Sequence, residues 1–241
     1  MEPHGAQGAN LKVSVVMTFL NTGQFLEPAI RSILDQDFDD FELILVDDGS
    51  DSASSAIALG FAADLPGRVI YADHPGHENR GISASRNLGI SLAHGQYVAF
   101  CDADDVWFQG KLREQVALMD EYPQAGLLCG AVRYWRSYDG GKDVIVQTGH
   151  RQDALILPPE MSVSVYPLGR AAAPSMSDIM VRASVLRSVG GCEDEFRGMY
   201  EDQALLAKIY LATPVYIAST CWSAYRQHDE SCMAESGRAG N

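Results

Sequence analysis

The chain has 241 residues, 46% hydrophobic and 21% charged, which suits one large α/β domain or two small ones. Eighteen Lys and Arg against 32 Asp and Glu leave a formal charge of −14, a field that repels nucleic acid and anionic lipid. A polyanionic ligand on such a chain needs a cation, or a few placed arginines, to offset that field.

The first ten residues, "MEPHGAQGAN", lack the basic and apolar regions of a signal peptide and are expected to form a flexible tail. "KVSVVMTF" (12–19) reads as a short β-branched strand, and "GQFLEPAIRSILDQ" carries apolar residues at helical spacing. "FELILVDD" (41–48) is a strand ending in carboxylates. "DSASSAIALGFAAD" opens on cap residues and continues as a helix. "GRVIYAD" (67–73) gives a third strand, "GISASRNLGISLAHG" a helix closed by Gly95, and "QYVAFCD" a fourth strand. Strand–helix alternation at this spacing predicts a parallel sheet with right-handed crossovers. Ligands of such sheets bind outside the carboxyl ends of the strands. Here those ends carry Thr18 to Asn21, then Asp47 and Asp48, then Asp102 to Asp105.

The second half loses that rhythm. "KLREQVALMDEY" (111–122) reads as an amphipathic helix and "AGLLCGAVRYW" (125–135) as a strand. Residues 136–175 mix Gly, Pro and polar residues and predict strands around a long variable loop. "SDIMVR" (177–182) reads as a short strand, "ASVLRSVG" as a short helix, and "EDQALLAKIYLA" (201–212) as a helix with an acidic first turn. "LLAKIYLATPVYIAS" comes nearest to a membrane span, but Lys208 and Pro214 interrupt it, so no transmembrane segment is expected. Peripheral membrane contact stays open. Five cysteines, at 101, 129, 192, 221 and 232, are odd in number and lack CxxC spacing, and they read as reduced thiols of a cytoplasmic protein. The expected organisation is a single domain over 11–233, with a nucleotide-binding lobe (11–110) and an acceptor lobe (111–233), then a flexible tail over 234–241.

The pressing question is why the apolar run "QYVAFC" ends in Asp102, Asp104 and Asp105. Two carboxylates about 4 Å apart repel by roughly 4 kcal/mol at an effective dielectric of about 20. A solvated acidic turn is one answer and a cation site is another. The order of motifs favours the cation. "VSVVMTFLN", "FELILVDDGS", "ENRGISASRN", "YVAFCDADD", "GGCEDEF", "YEDQALLAKIY" and "YRQHDES" follow one another in an order that resembles the family 2 glycosyltransferases, from about residue 12 to 232.

The resemblance implies a GT-A fold, with a Rossmann-like, mostly parallel sheet flanked by helices and a smaller mixed acceptor-side lobe. It also implies Mg²⁺ or Mn²⁺ bridging the diphosphate of a nucleotide sugar at the DxD-like element. On that pattern Asp105 is the direct metal ligand, Asp104 faces the ribose and the metal shell, and Asp102 supports either role. His228 matches a position near the diphosphate or metal, and Arg226 a phosphate contact. Asp48 matches the position that hydrogen-bonds the base, usually uracil, while Asp47 either joins it or only caps the turn. Thr18, Phe19, Leu20 and Asn21 match the first nucleotide loop. Leu20 replaces a frequent aromatic, for which Phe19 is the possible substitute. Arg86 is expected either at the base loop or diphosphate, or in an ion pair with Asp48 or Asp102. His77 is expected as an exposed loop residue.

In "YEDQ" the resemblance makes Asp202 the general base, with Glu201 positioning the acceptor, and "GGCEDEF" an acceptor-side turn. The implied reaction is inverting transfer from a nucleotide-diphosphate sugar, UDP-linked in most members, to the hydroxyl of a glycan, a lipid-linked glycan or another acceptor. Two rivals stand beside it: a nucleotidyltransferase, and a non-catalytic nucleotide-sugar binding module. The first typically shows a Gly-rich, basic phosphate loop that "TFLNTGQF" lacks, and the second has no need of Asp202.

Overall fold

The computed structural model describes residues 11–197 and 200–228. The predicted tails, and residues 229–233 of the predicted domain, lie outside that range. The alternating half contains β1 (Val13–Phe19), α1 (Leu26–Leu34), β2 (Phe41–Asp47), α2 (Ser52–Asp64), β3 (Val69–Asp73), α3 (Ile82–Leu92) and β4 (Tyr97–Phe100). Asp51 caps α2 by accepting the Ser54 amide at 2.8 Å, as the run of cap residues predicts.

The second half contains β5 (Val106–Trp107), α4 (Lys111–Glu121), β6 (Leu127–Trp135), β7 (Val144–Val146), β8 (Ala154–Ile156) and α5 (Glu160–Ser164). It continues with β9 (Met180–Arg182), α6 (Ala183–Val189), α7 (Glu201–Ala212) and β10 (Val215–Arg226). Of these, β5, α5 and the long β10 are not foreseen from sequence. Both ends of β10 are buried on both faces, so alternation is blurred, and Pro214 precedes it.

All ten strands join one sheet, ordered β3-β2-β1-β4-β9-β6-β10-β5, with β7 on β6 and β8 on β10. The pairs β3–β2, β2–β1 and β1–β4 are parallel. β9 is antiparallel to both β4 and β6, and β6 and β10 run parallel to each other. The winding reverses between β1 and β4, and such a switch point opens a crevice at the carboxyl edge. Sheet alternation divides the core in two. Val13, Val15 and Met17 pack under α1, α2 and α4, whereas Val16 packs under α3, α6 and α7. At Gly89 of α3 a Cβ would lie 2.4 Å from Val16, so only glycine lets this helix approach β1 so closely. Among the described residues no helix is long and apolar enough to cross a membrane, and the four described cysteines are unbridged.

Candidate active site

At the end of β1, Thr18 and Phe19 are buried while Leu20 is 42% exposed. Phe19 therefore belongs to the core and offers no stacking face, which removes it as the aromatic substitute. Asn21, in left-handed backbone (φ 51°), ties two loops together. Its amide donates to Ser50 Oγ (3.1 Å), and its Oδ1 accepts the Asp51 amide (2.6 Å).

The two acids ending β2 have separate fates. Asp47 is fully buried and accepts from the Ser50 amide (2.7 Å), the Ser55 hydroxyl and the Tyr71 hydroxyl (3.0 Å). Its position as the last residue of β2 points it into the fold, so the expected nucleotide contact is corrected to a structural tie. Burial, and then the bond to Asp47, push the Tyr71 phenol up to about 12. Asp48 accepts the amides of Arg80 (2.8 Å) and Gly81 (3.0 Å) and so fixes the loop before α3. Gly49 between this turn and that loop has φ 81°, and a Cβ there would lie 2.8 Å from the Asn79 amide. His77 is an exposed loop residue as expected, and its ring bonds the Ser50 carbonyl (2.9 Å) and Asp73 (3.2 Å), which raise its pKa in that order.

Arg86, on the buried face of α3, has a guanidinium only 4% exposed. It donates to Asp102 (3.0 Å) from one nitrogen and to Glu201 (2.8 Å) from another. Burial works against its charge, but the two carboxylates more than restore it and hold its pKa above the ordinary range. Asp102 is pushed up to about 6 by burial, against the pull of Arg86. Of the two alternatives for Arg86 the structure adopts the ion pair, with Asp102 and not Asp48. Glu201 gives one carboxylate oxygen to Arg86 and keeps 11% of its side chain exposed, so it ties the start of α7 to α3.

The remaining acids of the loop diverge. Asp104 keeps 22% of its side chain exposed and takes His228 Nε2 at 2.9 Å. Asp105 is fully buried, its Oδ1 accepting the Arg226 amide at 2.9 Å and its Oδ2 lacking a partner among the described residues. Burial, then Asp104 and Asp102, raise its pKa well above the carboxylate range. The expected direct ligand is thus turned inward, because the Asp102–Asp105 turn closes onto β10. Asp104 and His228 hold the exposed position in its place. No cluster of three His, Cys, Asp or Glu around a common point occurs among the described residues. An oxygen and an imidazole nitrogen nevertheless suit a divalent cation that takes its other ligands from phosphate and water. The buried His228 Nδ1 and Asp105 Oδ2, neither with a hydrogen-bond partner in good geometry among the described residues, lie beside that pair.

Three aromatic supports were not visible in the sequence. The Phe25 ring lies 4.6 Å from that of His228. Arg226 is stacked between Phe25 (4.8 Å) and Trp135 (4.2 Å) while its Nε donates to the Asp104 carbonyl at 2.7 Å. Trp107 Nε1 donates to the Ser177 carbonyl (2.7 Å), and Ser177 Oγ accepts the Asp102 amide (2.9 Å), so the loop is backed from the core. Behind it the buried Lys111 donates to the Asp178 carbonyl (2.8 Å) and Gln115 (2.9 Å), and burial pulls its pKa down to about 8.

Asp202, in the first turn of α7, accepts among the described residues only from Gln203, through the amide (2.7 Å) and side-chain Nε2 (3.1 Å). It is the partly exposed acid of α7 that carries no ion pair. The "GGCEDEF" turn is pinned to α3: Asn87 Nδ2 donates to the Cys192 carbonyl (2.9 Å) and Asp194 (2.7 Å), and Asn87 Oδ1 accepts the Cys192 amide (2.8 Å). It therefore joins the two halves. A cleft of about 540 Å³, lined by Asp73, His74, Arg80, Asp194 and Arg197 among others, lies outside this acid cluster.

A mostly parallel sheet with a switch point, flanked by helices, matches the GT-A fold of its structural neighbours. Residues 14–153 match the family model for glycosyl transferase family 2, and the chain belongs to that family. The chain is 35% identical over 115 residues to the minor teichoic acid biosynthesis protein GgaB of Bacillus subtilis (strain 168), covering 47% of this chain and 12% of that protein. The S. aureus TarS 1-349 structure in complex with UDP-GlcNAc superposes with a TM-score of 0.76 at 20% identity, over 92% of this chain and 60% of that one. The mannosyltransferase PcManGT of Pyrobaculum calidifontis, in complex with GDP-Man and Mn²⁺, gives 0.69 at 16% identity, over 96% and 61%. The chain spans less than two thirds of the length of the curated relatives it matches.

Proposed function

We propose that the chain transfers a sugar from a nucleotide-diphosphate sugar, UDP-linked, to an acceptor hydroxyl, with inversion and with a divalent cation, Mg²⁺ or Mn²⁺. The observation that carries this reading is the Arg86 bridge. It ties the Asp102 loop to the start of α7 and leaves Asp104 with His228 on one side and an unpaired Asp202 on the other. UDP and UDP-GlcNAc in the TarS structures support the donor class, and Mn²⁺ with GDP-Man in PcManGT supports the cation.

In this reading Leu20 and Asn21, with Thr18 beneath them, border the nucleotide, and Asp48 uses lone pairs left over from its amide bonds to accept the uracil imide N–H. Asp102 and Asp104 face the ribose and diphosphate. Asp104 and His228 would hold the cation, with Asp105 behind them keeping the turn closed. When bound, that cation neutralises charge on the departing diphosphate. Asp202 takes the proton of the acceptor hydroxyl as its oxygen bonds to the anomeric carbon and the sugar–phosphate bond breaks. The helix start favours the carboxylate form that a base requires. Aligning donor and acceptor accounts for up to about 7–11 kcal/mol of the barrier.

The test is calorimetric titration of UDP with Mn²⁺ and again with EDTA, followed by product analysis with UDP-sugars. Expected are binding that needs Mn²⁺ and release of UDP with an inverted glycoside. Equal affinity in EDTA removes the cation, pyrophosphate release points to nucleotidyl transfer, and binding without turnover points to a binding module.

A further inference from the structure

The cleft of about 540 Å³ lies beside the start of α3, and the proposed reaction makes no use of it. Arg80 and Arg197 line it from two separate segments. Ser83 donates to the Phe196 carbonyl (2.8 Å), and a Cβ on Gly81 would lie 3.3 Å from Arg197 Cγ. The segment carrying Arg197 is therefore packed against the residue that follows Arg80. Asp48 holds the Arg80 amide from the other side (2.8 Å). Both arginines are exposed, and neither side chain has an ion pair among the described residues. Other exposed arginines of this acidic chain are paired: Arg31 with Glu27, Arg113 with Asp37 and Arg151 with Glu160. The two acids of the cleft are engaged elsewhere, Asp73 by His77 (3.2 Å) and Asp194 by Asn87 (2.7 Å). On a chain with 32 carboxylates, two arginines that share a cleft and pair with none hold positive charge to spare.

We propose that this cleft binds a phosphate ester, at a site separate from the nucleotide and cation positions. Guanidinium groups meet anionic oxygens through paired N–H donors. Two of them arriving from different segments suit a tetrahedral phosphate, whose oxygens point in several directions, better than a planar carboxylate. The positive end of α3 adds to their field. The cleft is also larger than a bare phosphate needs and falls in the range of small-molecule sites. Pro75, Ala84 and Leu88 supply an apolar wall for the organic part of an ester. The net charge of −14 repels such an anion at long range, so its affinity comes from contacts inside the cleft. Nothing in this site depends on sugar transfer.

The experiment is phosphorus NMR line broadening on the full chain, with glycerol 3-phosphate, dimethyl phosphate and inorganic phosphate titrated separately. EDTA is present, so that no divalent cation offers phosphate a second site. At least one of the two esters is expected to broaden, and UDP with Mg²⁺ in excess of the chelator should leave that broadening in place. Arg80→Gln and Arg197→Gln should each weaken binding by roughly three- to tenfold, the loss of one charge-assisted contact at an exposed site. Arg170→Gln, an exposed arginine outside the cleft, makes the same change in net charge and should have no effect. Melting curves check that each variant is folded. Binding of the monoester alone points to a small phosphorylated metabolite and binding of the diester to a phosphate-linked chain, and either supports the site. No broadening by either ester, an equal loss in Arg170→Gln, or displacement by UDP overturns it. Acetate competing as well as phosphate, or inorganic phosphate binding as tightly as the esters, overturns the assignment of the ligand as a phosphate ester.

Discussion

The two halves of the molecule use their acidic motifs differently. In the alternating half, the carboxylates at the end of β2 are consumed by neighbouring backbone and hydroxyl groups: Asp47 by Ser50, Ser55 and Tyr71, Asp48 by the Arg80 and Gly81 amides. In the second half Asp202 has no ion pair among the described residues, and Asp104, at the close of the first half, takes an imidazole. The acids that end β2 shape loops, whereas Asp202 at the start of α7 carries no ion pair among the described residues. Arg86 stands between, taking one acid from each half.

The sharpest way to break this contrast is Asp202→Asn. The amide keeps the size but cannot take a proton, so transfer should slow by about 10²–10⁴-fold while UDP and Mn²⁺ affinity hold. Near-normal turnover alongside a lowered melting temperature would make Asp202 a helix-terminal charge and nothing more. Next in size, Arg86→Met strands Asp102 and Glu201 without their cation. Breaking a buried pair costs about 3–5 kcal/mol, and the partial exposure of Asp102 places this one at the low end. Denaturant melts read the loss, and a change below about 1 kcal/mol would show that the halves are held together by something else.

The smallest effect concerns Lys111, behind the acidic loop. Its folded pKa of about 8 lies below the ordinary 10.5, so the protonated form costs the fold. Its contribution is full above pH 10.5 and is lost as pH falls through 8. The melting temperature of the wild type minus that of Lys111→Met should therefore rise between pH 7.5 and 9.5, a comparison in which the other titrating groups cancel. A flat difference would mean that the ammonium is stabilised where it lies.

Much of the fold is legible in the sequence because the first half repeats one unit, with β-branched strands between helices that carry their own caps. β10 escapes such a reading: its ends are buried on both faces and it follows Pro214, so neither period nor punctuation marks it. The site was legible in its acids but not in their partners. Asp47 and Asp48 are adjacent, chemically alike and both buried, and only the strand register gives them different partners. Arg86 and Glu201 meet across 115 positions of sequence, and Phe25 reaches His228 from the opposite end of the chain. Local patterns carry no trace of such contacts. Asp105 shows the reverse failure, since its motif position suggests exposure while the Arg226 amide draws it into the interior.

The place of β10 has a consequence for how the protein is made. It is inserted between β6 and β5, and its last residue closes the acidic turn through Asp104 and Asp105. During synthesis the ribosome releases the whole alternating half, and β6 as well, before that strand emerges. Until then β6 presents an unpaired edge, the kind of template on which nascent chains associate. The carboxylates of the turn meanwhile wait for the Arg226 amide. Closure of the acidic turn thus waits for β10, and a ribosome stalled before Val215 leaves a chain with most of its sheet and an open turn.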